Sequence, residues 1–146
     1  MAFYQCYTWT YQLNVPPFDR LMDVLDAFFS AYPKGEYARE SLEPYKLVFR
    51  RGMWKRFVGI GPIVPAKLVP GDFSQWPVIL HVLARPSPEM FLISLRYELY
   101  LPRTVKTLIP EVQDSVHQHI GLELHDLAVY LAECLRLAQL PAVIDA

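Results

Sequence analysis

From Ala2 to Leu13 large side chains recur at every second position. Phe3, Tyr7, Trp9, Tyr11 and Leu13 share one face, with Gln5 the exception, and Tyr4, Cys6, Thr8, Thr10 and Gln12 share the other. Aromatic and β-branched residues at period two predict a strand. Asn14-Val15-Pro16-Pro17 stops it, and proline suits the first turn of a helix, where its missing N–H has no partner to lose. Phe18, Leu21, Met22, Leu25, Phe28, Phe29 and Tyr32 then follow at helical spacing, with Asp19, Arg20, Asp23, Asp26 and Ser30 opposite, until Pro33 and Gly35 end the helix.

Lys34 to Pro44 is polar and reads as a connection. A hairpin is predicted from Tyr45–Arg51 and Trp54–Ile60, turning near Gly52-Met53. The proline-rich stretch beyond it holds at best a short edge strand around Ala66 to Val69. A second hairpin joins Trp76–Arg85 to Met90–Leu101 across Pro86-Ser87-Pro88. In its last strand Phe91, Ile93, Leu95, Tyr97 and Leu99 face in while Ser94, Arg96 and Glu98 face out, the pattern of a sheet with one solvated face. From Pro102 to Pro141 the period changes again. Val105, Ile109, Val112, Val116, Ile120, Leu124, Leu127, Leu131, Leu135 and Ala138 form one stripe at about 100° per residue, the sign of a long helix, or of two that break near Gly121.

The strands are grouped and do not alternate with helices, which predicts an α+β class. The expected architecture is one domain over residues 1–146: an antiparallel sheet of about five to six strands in the order β-α-β-β-β-β-α, covered on one face by an N-terminal helix and a long C-terminal helix. This order of elements resembles the helix-grip architecture of START-type and Bet v 1-like domains, in which a curved sheet wraps a C-terminal helix. The resemblance lies in element order along most of the chain and in no sequence motif.

Composition adds an excess of rings. Twenty aromatic residues are more than a core of this size requires, which implies an apolar cavity, a partner surface or a wide buried interface. A formal net charge of −1 argues against a nucleic-acid partner. No apolar run approaches the roughly 20 residues of a membrane-spanning helix, and the N-terminus shows no basic and apolar secretory pattern. The reading is a cytoplasmic protein without a membrane span. Cys6 and Cys134 fit no metal or redox spacing and are expected as reduced, largely buried thiols, with a Cys6–Cys134 bridge as the alternative.

The densest group of potential ligands is His117 to Asp126. Helical geometry disperses it: His117 and His119 lie about 200° apart, and His117 and His125 are separated by roughly 12 Å. His119, Glu123 and Asp126 do share a side, at i, i+4 and i+7, as a candidate acid–base or metal set. Of the three, Glu123 leans furthest into the apolar stripe, unless a bend at Gly121 rotates it outward; pointing inward, it needs a polar partner at the sheet, for which Arg96, Tyr97 and His81 are the candidates. A second group, Arg50, Arg51, Trp54, Lys55 and Arg56, gathers cations and an aromatic plane at a turn, a candidate anion or partner site, or else a solubilising hairpin tip. No phosphate loop, nucleophile elbow or H-E-x-x-H motif is present.

These observations lead to a non-catalytic domain that binds an apolar or amphipathic small molecule between the sheet and the C-terminal helix, with no cofactor and no resident metal. Its expected ligand-binding residues are His119, Glu123, Tyr97, Trp9, Trp76 and Tyr130. The alternatives are an assembly protein that buries its aromatic excess in a homo-oligomer or partner interface, and a metal-assisted enzyme using His119, Glu123 and Asp126.

Overall fold

The computed structural model describes residues 3–15, 19–31, 37–52, 77–101 and 110–145. Along the chain these form β1 (Phe3–Leu13), α1 (Leu21–Ser30), β2 (Ala38–Glu43), β3 (Lys46–Arg51), β4 (Val78–Ser87), β5 (Met90–Leu101), α2 (Pro110–Leu135) and β6 (Ala142–Asp145). The six strands make one antiparallel sheet in the spatial order β2-β3-β4-β5-β1-β6. The α+β class holds, and with α2 laid against a single face of the sheet the arrangement is helix-grip-like.

Register explains which side chains form the core. Leu47, Phe49 and Arg51 of β3 stand opposite Val82, Leu80 and Val78 of β4. Those stand opposite Leu95, Tyr97 and Leu99 of β5, and β5 in turn pairs with β1, Trp9 with Leu95, Tyr11 with Ile93 and Leu13 with Phe91. Because side chains alternate along each strand, all of these project from one face, and all are buried. Leu21, Met22, Leu25, Phe28 and Phe29 of α1 and Val116, Ile120, Leu124, Leu127, Ala128 and Leu131 of α2 complete the cluster.

Four readings need correction. The segment read as a connection contains β2, whose Arg39, Glu40 and Glu43 are exposed; charge on an edge strand discourages stray pairing and erases the apolar alternation that marks a strand. Both edges of β3 are taken, by β2 and β4, so β3 forms its hairpin through Pro44-Tyr45 and not with Trp54–Ile60. That stretch, like Ala66 to Val69, lies outside the described residues. The chain ends in a further strand, β6, too short for periodicity to reveal. Finally, both Cys6 and Cys134 are free and exposed, the first on the outer face of β1 and the second on the outward side of the last turn of α2.

The long helix is unbroken at Gly121. It stops after Leu135, where Arg136 takes φ 53° and Leu137 N–H donates to the Ala132 carbonyl at 2.9 Å. That six-to-one bond is a Schellman ending, with arginine where glycine is usual, and it turns the chain back to lay β6 on β1. A β-carbon built on Gly121 meets nothing within 4 Å. Gly121→Ala is therefore expected to stabilise the fold by about 0.8–1 kcal/mol, the helix-propensity difference between the two residues, read as a higher urea midpoint at unchanged slope.

Candidate functional site

The Glu123 side chain turns into the core and is 5% exposed. Its Oε1 accepts from the Arg51 guanidinium at the end of β3, a salt bridge between two buried groups. Its Oε2 accepts from two phenols, Tyr37 just before β2 at 2.8 Å and Tyr97 in the middle of β5 at 2.9 Å. The Arg51 guanidinium also lies over the Tyr37 ring, 4.3 Å from its centre. One carboxylate thus ties α2 to three separate parts of the sheet. Burial, followed by the Glu123 carboxylate, pushes both phenols well above the usual tyrosine range. Burial alone opposes the Arg51 cation, but Tyr37 and Glu123 beside it outweigh that and hold its pKa above the ordinary value. With both oxygens engaged, by three donors in all, the carboxylate works as an anchor for the helix.

Of the partners considered for Glu123, only Tyr97 meets it. Arg96 and His81 point to the opposite face of the sheet, where they hold Glu98: His81 Nε2 contacts Glu98 Oε1, and Arg96 Nη2 donates to Glu98 Oε2 at 3.4 Å. Two members of the anchor escaped the sequence reading. Tyr37 sat in a segment with no legible periodicity. Arg51 is in phase with Leu47 and Phe49 at period two, and that phase was the signal for its burial. Arg51 therefore leaves the surface basic group. Arg50 is exposed and ion-pairs with Glu40 at 3.2 Å, while Trp54, Lys55 and Arg56 lie outside the described residues, as does Trp76.

His119, Glu123 and Asp126 do not converge. His119 is half-buried with its Nδ1 against the Ser115 carbonyl at 2.8 Å, Asp126 is exposed, and Glu123 is committed inward. Among the described residues, no three His, Cys, Asp or Glu side chains come together as a metal site.

Concave space lies on either flank of the anchor. On the first flank a groove of about 300 Å³ separates β1 from α2. Trp9 and Tyr11 line its sheet side; Gly121, Leu124, His125 and Ala128 line its helix side; Leu140, Pro141 and Val143 close its end as the chain enters β6. Tyr11 is fixed there by its hydroxyl, which donates to the Leu124 carbonyl at 3.0 Å. The Trp9 ring stacks on Tyr7 and lies 5.0 Å from the His117 ring. The Tyr7 hydroxyl is buried and has no hydrogen-bond partner among the described residues. On the other flank, Tyr130 lines a separate groove between α1 and α2.

No family model matches the chain, and no curated protein matches it. The crystal structure of Zhui aromatase/cyclase from Streptomyces sp. R1128 aligns with 94% of this chain and 97% of its own at 14% identity and a TM-score of 0.47. Likeness at that level assigns no chemistry to this chain, whose fold stands on its own strand register. Among the described residues no helix is long and apolar enough to cross a membrane.

Two measurements test the contacts that hold α2 to the sheet. Glu123→Gln leaves the buried Arg51 cation without its counter-charge and is expected to cost about 3–5 kcal/mol of unfolding free energy; replacing both partners by apolar residues of similar size (Arg51→Met with Glu123→Leu) is expected to restore most of it. The second concerns pH. Burial pushes Tyr11 up to about 12, so the folded chain keeps this phenolic proton at pH values where the unfolded chain releases it. The Tyr11 contribution is complete below pH 10 and is lost from about pH 10 to about pH 12. Urea unfolding at fixed pH across this window should show stability falling as pH rises, and falling less steeply in Tyr11→Phe.

Proposed function

We propose that this chain is a non-catalytic binding domain that holds an apolar or amphipathic small molecule between the sheet and the C-terminal helix, in the groove between β1 and α2. The observation that carries this reading is the open space above Gly121, bounded by Trp9 and Tyr11 on one side and Leu124 and Ala128 on the other. Its volume is at the small end of the range for ligand pockets, its walls are mostly apolar, and His125 places one polar group beside it. The commitment of Glu123 to Arg51, Tyr37 and Tyr97 supports binding without catalysis, because it occupies the one carboxylate buried beneath α2 among the described residues.

The test uses 1-naphthol as probe, titrated into the purified protein and followed by tryptophan quenching, with native mass spectrometry to count bound molecules. One molecule should bind per chain. Gly121→Phe, which fills the open space from an exposed helix position, should weaken it at least tenfold while the protein keeps its thermal transition. An absence of binding to the parent protein, or equal binding to Gly121→Phe, sinks the proposal.

A second reading, self-assembly, is favoured by the exposure of Leu140, Val143 and Ile144 along and beside the edge strand β6, whose outer rim carries no strand among the described residues. Light scattering decides it: a dimer that Val143→Lys converts to monomer would support assembly through this edge, and a parent protein that is monomeric at all concentrations would end that reading.

A further inference from the structure

The groove between β1 and α2 carries one side chain whose chemistry selects among amphipathic ligands. Of the four histidines in the chain, three are engaged. His81 contacts Glu98, His119 Nδ1 meets the Ser115 carbonyl, and the His117 ring lies against those of Trp9 and Tyr7. His125 is the fourth. It is exposed at the edge of the groove, and no hydrogen bond, ion pair or ring contact holds it among the described residues. No Asp, Glu, Lys or Arg is among the described residues that line the groove with it. Its neighbours one turn away on α2, Gly121, Leu122, Ala128 and Val129, carry no charge either. The walls it faces are Trp9 and Tyr11 of β1, with Leu140, Pro141 and Val143 at the end. The Tyr11 hydroxyl donates its proton to the Leu124 carbonyl, so it offers a ligand no donor.

An imidazole donates or accepts a hydrogen bond and can gain a positive charge, never a negative one. A cationic head group beside it finds no counter-charge in the lining and is repelled whenever the ring is protonated. A neutral hydroxyl gains an ordinary hydrogen bond. A carboxylate accepts from the ring N–H, and that bond becomes charge-assisted when the ring is protonated. Position sets the orientation. His125 is exposed while Leu124 and Ala128 beside it are buried, so a carboxylate at His125 keeps much of its hydration and avoids the cost of full burial. Resting on the reading of this groove as a ligand site, we propose that its ligand is an amphipathic carboxylate. The apolar body lies between Trp9 and Tyr11 on one side and Leu124 and Ala128 on the other, and the head group points outward to His125. His125 is then the residue that sets the charge the groove prefers.

The experiment compares three probes built on one ring system: 1-naphthoate, 1-naphthol and (1-naphthylmethyl)ammonium. Each is titrated calorimetrically into the whole chain at low salt and about pH 6, where imidazoles gain charge. Naphthoate should bind tightest and the ammonium weakest. The two should differ by about fivefold, the scale of one exposed charged contact, and added salt should narrow the difference. His125→Gln, at an exposed position, should bring the two toward equal affinity, while His125→Arg, which keeps a cation there, should preserve their order. Gly121→Phe should weaken all three probes. Equal affinity for naphthoate and the ammonium in the parent protein would overturn the proposal. So would a preference undiminished in His125→Gln, or naphthoate binding that survives Gly121→Phe. Binding of 1-naphthol with no preference for naphthoate overturns this assignment alone; failure of all three probes to bind ends the reading of the groove as a ligand site as well.

Discussion

A carboxylate buried under a helix has to be met by donors, and at Glu123 the requirement is met by three side chains that are distant in sequence and come together only when the sheet has formed. Arg51 arrives at the end of β3, Tyr97 from the centre of β5 and Tyr37 from the chain entering β2. A helix held by apolar contacts alone can slide or rotate by fractions of a turn at modest cost. One whose carboxylate would be stranded by such a movement cannot, because an uncompensated buried charge costs several kcal/mol. The anchor therefore does little for net stability, where an apolar cluster of equal volume serves as well, and much for the angle and register at which α2 crosses the sheet. The Tyr11 hydroxyl, bonded to the carbonyl of the residue after Glu123, fixes the same turn from the other side.

Once α2 is fixed, its two flanks are fixed. At about 100° per residue, Gly121, Leu124, His125 and Ala128 fall on one side of the buried stripe and Asp126, Val129, Tyr130 and Glu133 on the other. The first set faces Trp9 and Tyr11 across one groove, and the second faces Phe28 and the small residues of α1 across the other. The aromatic excess thus goes mainly into packing, with Trp9, Tyr11 and Phe28 buried beside the grooves and Tyr130 partly exposed.

Much of the sheet was legible because its inner and outer faces differ sharply in polarity. The alternation in β1 and β5 is clean because each is paired on both sides and covered on one face, so the pattern needs no tertiary knowledge to read. It failed where tertiary demands override it: in β2, whose edge position calls for charge, and in β6, whose four residues take their conformation from β1. Glu123 shows both the reach and the limit of such reading. Its angle on the helix marked it as leaning inward, and Tyr97 was named among its partners. Arg51 was not, since a basic residue beside Gly52 looks like a hairpin tip until the partner of β3 is known to be β4 and the inward phase is taken seriously. Asp126 and Tyr130 were noticed singly, the first as a metal ligand and the second as a wall of the sheet–helix space. What joins them is the position of α1, which no periodicity encodes.

The polar groups on the two flanks of α2 also differ in kind. The flank toward β1 carries His117 and His125; the flank toward α1 carries Asp126 and Glu133. Ligand-sized grooves owe most of their affinity to apolar burial and most of their selectivity to a few polar groups. Two grooves with aromatic walls and unlike polar groups therefore differ in the chemistry they present, even though a single helix borders both. Because the anchor at Glu123 sits between them and is held by residues of neither wall, each groove can be altered by substitution at exposed positions without moving the other. That separation is why the same helix borders two grooves and not one continuous trough.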